Sequence, residues 1–218
     1  MTFRSLFRKL VAAAAIPGIG MATKVTIDRQ FGGFGSTLQQ AKATGFFSWF
    51  HLTETARESS GGSEVVRFQP SGPKFHDVAI VSFETGGQFI EAATLRLSRS
   101  FINGPDEAFA RDIAASFLRT ALPAQDRIQA EDLILQIAND YRGTALLIVA
   151  RGADPRVPQP LTPAYRVFVG EEVEASITLA HMNIRLLNTR SGGDHLLIRI
   201  DLARPGRIAS PCGSGGRK

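Results

Sequence analysis

The run DVAIVSFETGGQFIEAATLRLSR, residues 77–99, restricts this chain more than any other stretch. Two apolar, β-prone segments flank the glycine-rich break at Thr85–Gly87, the pattern of an antiparallel hairpin. In the second arm Leu95 and Leu97 alternate with Thr94, Arg96 and Ser98, so one face of the sheet is buried and the other is wet. A sheet of that kind needs apolar cover on one side.

The cover follows directly. NGPDEAFARDIAASFLRTALP reads as a helix, with Pro105 in its first turn, Asp106 and Glu107 at the positive end of the dipole, and Pro123 as the stop. Phe109, Ile113 and Phe117 recur every four residues beside Ala110, Ala114 and Leu118, which makes one apolar stripe. A second helix is expected from Ala124 to Tyr141, with Leu133, Ile137 and Tyr141 on one face and Gly143 as its end. The short link through Leu122 and Pro123 makes the two an antiparallel hairpin.

Strands are expected on both sides of that hairpin. Before it stand GFFSWFHLTE and VVRF, separated by a plain loop from Glu58 to Glu64; a short helix capped by Ser36 runs through Ala43 and ends at Gly45. After it come TALLIVA, suited to mid-sheet, an extended proline-rich loop (ADPRVPQPLTP), and then AYRVFVG, EVEASITLA, NIRLLN and DHLLIRIDL. In the last, Leu196, Ile198, Ile200 and Leu202 should point inward against His195, Arg199 and Asp201. Strands, two helices and strands again predict an α+β domain: a twisted, mainly antiparallel sheet with a central two-helix hairpin packed on one face.

The chain opens MTFRSLFRKLVAAAAIPGIGMATK. Arg4, Arg8 and Lys9, with no acid before Asp28, lead into fourteen uncharged residues from Leu10 to Thr23. That order is the pattern of an export signal, and Gly20-Met21-Ala22 offers the small residues a signal peptidase requires, placing cleavage after Ala22. As a helix the run would span only about 21 Å, short of the roughly 30 Å hydrocarbon core, and Pro17 weakens it further, so no permanent span is expected. The basic residues stop at Lys9 rather than spreading along an amphipathic organellar presequence, and no cysteine stands at the cleavage point for acylation. The expected organisation is therefore 1–22 as a cleaved export signal, 23–204 as one α+β domain, and 205–218 as a flexible tail, in a periplasmic or secreted protein.

Removing residues 1–22 takes away three basic residues and no acid, so the net charge falls from +5 to +2. Arg185, Arg190, Arg199, Arg204 and Arg207 are separated by apolar or acidic positions and form no basic run, which argues against a nucleic-acid partner. Cys212 has no second cysteine to pair with, and its small, flexible surroundings lack the positioned base of a catalytic thiol.

Signatures of chemistry are sparse. His76 beside Asp77 and Asp194 beside His195 are the weak candidates for a catalytic or ligand-binding site. Neighbours on a strand point to opposite faces, so such a site needs the two pairs brought together in three dimensions, and no metal site is expected. His51 and Glu54 have a ligand spacing only if helical. No Gly-x-Ser-x-Gly elbow is present, and FGGFG lacks the Lys-Ser/Thr of a phosphate loop, so no cofactor is expected.

The aromatic stretch FFSWF is the least ordinary feature. On a strand Phe47 and Trp49 share one face and Phe46 and Phe50 the other; in a central strand both faces are core, and at an edge the exposed ring pair would meet a protein partner or a membrane. The function expected is that of an exported, non-enzymatic envelope protein acting by protein–protein binding through Phe47 and Trp49, as an accessory or assembly factor of an envelope or secretion system. The alternative is a small periplasmic hydrolase or ligand-binding protein built on His76, Asp77, Asp194 and His195.

Overall fold

The structure, a computed structural model, describes residues 34–138, 161–189 and 194–203. The expected export signal, Tyr141, Gly143, TALLIVA, most of the proline-rich loop and the tail with Cys212 lie outside the described residues.

Among the described residues seven strands form one antiparallel sheet in the order β1-β2-β3-β4-β7-β6-β5. They are β1 (Leu52–Ser60), β2 (Ser63–Pro70), β3 (Ala79–Gly86), β4 (Phe89–Ser98), β5 (Glu174–Thr178), β6 (Met182–Thr189) and β7 (His195–Leu202). Two meanders, β1 to β4 and β5 to β7, meet where β4 pairs with β7, so the seam pairs residues as far apart in sequence as Ala92 and Asp201. Register makes the two faces explicit. Phe68, Val81, Leu95, Ile198 and Leu186 align across five strands and are buried, whereas the adjacent row of Arg67, Ser82, Thr94, Arg199 and Arg185 faces the other way.

Helices cover the apolar face. α1 (Leu38–Lys42) and α2 (Gly45–Trp49) precede the sheet; α3 (Arg99–Ile102), α4 (Glu107–Ala121), α5 (Ala124–Gln129) and α6 (Glu131–Ala138) follow β4; α7 (Pro163–Val169) leads into β5. α4 packs on α6 and buries Ala110, Ile113, Ala114, Phe117 and Leu118, the stripe its spacing predicts. One core cluster runs from Phe34 to Ile200. The α+β architecture with a helical hairpin on one sheet face is thus the architecture observed.

Several local expectations are corrected. GFFSWFHLTE is not a strand: α2 occupies Gly45–Trp49 and β1 begins at Leu52. Phe46, Phe47 and Phe50 have helix-compatible spacing, and the rings reach one another and the sheet, Phe46 to Phe50 at 5.3 Å and Phe47 to Phe68 at 5.0 Å between centroids. Tertiary packing overrides the β-propensity of the rings.

The loop expected from Glu58 to Glu64 is instead a hairpin. Gly61 and Gly62 take φ of 59° and 87°, the two left-handed residues of a tight turn that joins β1 to β2. β1 reads as loop in sequence because it is an edge strand with an almost wholly polar surface. Cross-strand charge replaces apolar alternation: Arg57 Nη1 donates to Glu64 at 2.7 Å, and Arg67 pairs with Glu58.

AYRVFVG is the helix α7 rather than a strand. Thr162 Oγ1 accepts from the Tyr165 N–H at 3.1 Å, Pro163 opens the first turn, and Gly170 closes it at φ 95°. The second expected helix breaks at Ala130, where φ −95° and ψ 5° separate α5 from α6. Smaller shifts are that Thr37, with Gln40, makes the capping box of α1 in place of Ser36, that Gly45 starts α2, that Pro105 precedes the α4 cap Asp106, and that Leu202 is exposed at the strand end.

Candidate functional site

α2 divides its rings sharply. Phe46, Phe47 and Phe50 are buried, with Phe47 packed on Phe68 and Phe83, while Trp49 stands 71% exposed. Phe47 and Trp49, expected on one strand face, are therefore separated: residues two apart on a helix lie about 200° around its axis. Phe47 is a core residue and is unavailable to a partner in the folded protein. The Trp49 indole folds back over Gly45, where an added Cβ would lie only 3.2 Å from two of its ring carbons. Glycine at 45 thus lets the indole lie close along the helix backbone.

The start of β1 is charged and tied down. Lys42 on α1 donates to Glu54 on β1 at 3.0 Å, and Arg57 donates to the same carboxylate at 2.8 and 2.9 Å. The hydrogen bonds from Arg57 and then Lys42 hold Glu54 down at about 2, far below the ordinary carboxylate range. Glu54 is thereby committed to two cations, and His51, at φ 47° in the turn before β1, shares no ligand arrangement with it.

The structure brings His76, Asp77, Asp194 and His195 to the same end of the sheet without assembling a site from them. Ser98 pairs with His195, and the Ser98 N–H donates to Val78 O at 2.8 Å, so β4 lies between the two His-Asp pairs. His76 and Asp77 are not on a strand. They form a turn after the 3₁₀ turn Pro73–Phe75, with Asp77 at φ 60°, and that bend lets His76 Nδ1 approach Asp77 at 2.8 Å. Both side chains are exposed. Asp194 turns to a different neighbour: its carbonyl accepts from the Arg99 N–H at 2.9 Å, and its charge opposes the downward push that burial gives the Arg99 guanidinium. Among the described residues no group of three or more His, Cys, Asp or Glu side chains could hold a metal ion.

A different Asp-His pair, which adjacency in sequence does not reveal, stands at the opposite end. Asp126 on α5 is fully buried and meets His181, 55 residues away, in the turn between β5 and β6. The His181 N–H donates to the carboxylate at 3.0 and 3.2 Å, and ring Nδ1 lies 3.0 Å from Oδ1. The imidazole is 54% exposed, so the carboxylate grips one ring nitrogen from inside while the other side of the ring reaches solvent. Ala203, after β7, donates its N–H to His181 O at 2.8 Å and fixes the turn from the sheet side. The only sequence trace is Asp126 in the first turn of a helix, which reads equally as a partner of the dipole.

No protein-family model matches this chain, and no curated protein or solved structure matches it either. Among the described residues no helix is long and apolar enough to cross a membrane.

Proposed function

We propose that this is an exported envelope protein that works by binding another protein, as an accessory or assembly factor of an envelope or secretion system. The observation that carries the reading is Trp49: three of the four rings in FFSWF enter the core, and the largest is left 71% exposed on a helix anchored by the other three. Large aromatic side chains supply much of the energy at protein interfaces because they bury wide surface with few rotors to freeze. A rigid base makes Trp49 a preordered anchor, since Phe47 pins α2 to the sheet through Phe68 and Phe83.

Export is supported by the charged-then-apolar order of residues 4–23 and by the small residues before Thr23. The test has two parts. N-terminal sequencing of protein from fractionated cells should give a chain starting at Thr23 in the periplasmic fraction. A photoreactive amino acid in place of Trp49 should then crosslink to one discrete envelope protein, while the same group at exposed Ile128 should not. A chain starting at Met1 in the cytosol, or equal labelling from both positions, rejects the reading.

A further inference from the structure

The buried carboxylate of Asp126 lies outside the Trp49 surface and has no part in the binding reading above. β1 starts, just after α2, at the sheet end where β7 begins, whereas His181 sits where β7 ends, beside Met182 paired with Leu202. The two features therefore occupy opposite ends of the sheet.

Burying a carboxylate completely is unfavourable unless donors surround it. A single backbone N–H would suffice to fasten the β5–β6 turn, and the His181 N–H already spans both oxygens. The ring contact is additional, and it has a chemical consequence. An ionised carboxylate accepts only, so Nδ1 must carry the hydrogen, and the lone pair of neutral His181 is fixed on Nε2. A half-exposed ring leaves that lone pair accessible to solvent. Exposed Leu202 pairs with Met182, the residue after His181, and precedes the Ala203 that bonds the turn, so apolar surface borders the site on the sheet side.

We propose that Asp126 and His181 form a proton-transfer pair that hydrolyses an ester of an apolar acid, with His181 as general base and Asp126 as the residue that positions it. Nε2 takes a proton from water as the water oxygen bonds to the acyl carbon. The tetrahedral adduct then collapses, the acyl–oxygen bond to the alcohol breaks, and the departing oxygen recovers the proton from Nε2. Acid and alcohol are the products, and no further reactant is consumed. General-base assistance of this kind contributes about 10²–10⁴ in rate.

The test uses the full chain and p-nitrophenyl butyrate as probe. His181→Gln should lower the hydrolysis rate by about a hundredfold, while the double variant His76→Gln/His195→Gln retains the parent rate and excludes general imidazole reactivity. Asp126→Asn presents an amide donor to Nδ1 and should lose the rate although the imidazole remains. Nitrogen-15 NMR of the parent protein reads the arrangement without reference to activity or to variant folding: the His181 ring proton should be on Nδ1. A His181→Gln protein as active as the parent overturns the proposal, and so does a ring proton found on Nε2.

Discussion

The guanidinium of Arg99, at the start of α3, bonds the side-chain oxygen of Asn188 on β6, across the strand β7 that separates β4 from β6. The same guanidinium donates to the carbonyls of Val167 and Phe168, and Asn188 Nδ2 donates to Val167 O at 2.9 Å and Glu172 O at 2.6 Å. Two side chains, one from α3 and one from β6, thus satisfy the last carbonyls of α7, the free acceptors that every helix leaves at its C-terminus.

Removing either partner strands buried acceptors. Arg99→Met should destabilise the protein by about 3 kcal/mol and Asn188→Ala by about 2 kcal/mol, as single-site losses of buried, charge-assisted bonds. Because both act on α7, the double variant should lose less than the sum, a coupling that urea denaturation of the four proteins measures.

The rings of α2 should separate by experiment as they do in space. Phe47→Ala removes a ring packed on Phe68 and Phe83 and should cost about 3–5 kcal/mol. Trp49→Ala should change stability by about 0.5 kcal/mol or less, as an exposed position. Urea midpoints of the two variants check the contrast.

Trp49 is the only tryptophan in the chain, so its fluorescence is a direct readout of that surface. Emission should be red-shifted and strongly quenched by acrylamide in the free protein. Binding at α2 should shift it to the blue and protect it, a change that a partner docking elsewhere would not produce.

Acid should weaken the β1 edge. Glu54 is held down from the ordinary 4.5 to about 2 by Arg57 and Lys42, so its ion pairs contribute stability above pH 4.5 that is lost as the pH falls toward 2. Solvent reaches these side chains, which limits the contribution to about 1 kcal/mol or less. Denaturation of the parent protein and Glu54→Gln should differ near neutral pH and converge near pH 2; a constant difference across that range contradicts the assignment.

The Glu84–Arg199 pair offers a parallel case across the β3–β4–β7 seam. Arg199 donates to Glu84 at 2.8 Å and to Asp201 at 2.9 Å, and the Arg199 hydrogen bond depresses the Glu84 carboxyl. Arg199→Met should lower the urea midpoint modestly and reduce the acid sensitivity of the protein.

Sequence pattern alone determined the sheet-and-helix architecture. Alternation in β4 and β7, a hairpin turn at the glycine-rich break, formed by Gly87 and Gln88, and the four-residue apolar stripe of α4 are each legible in the local pattern, and the structure keeps all three. Tertiary structure decided the rest where local preference was weak or contrary. FFSWF has strand propensity but becomes helix because three of its rings fill the core. The residues of β1 carry almost no apolar signal and become a strand because the Gly61–Gly62 turn lays them against β2, where charge pairs hold them. AYRVFVG is apolar enough for a strand, but Thr162, Pro163 and Gly170 cap it as a helix, and Arg99 closes its end from α3, distant in sequence. The same distinction governs the candidate sites. Adjacency singled out His76–Asp77 and Asp194–His195, whereas the carboxylate that is buried against an imidazole belongs to Asp126, 55 residues from His181. Pairing of that kind depends on where α5 docks against the β5–β6 turn, and a linear sequence carries no periodicity that encodes it.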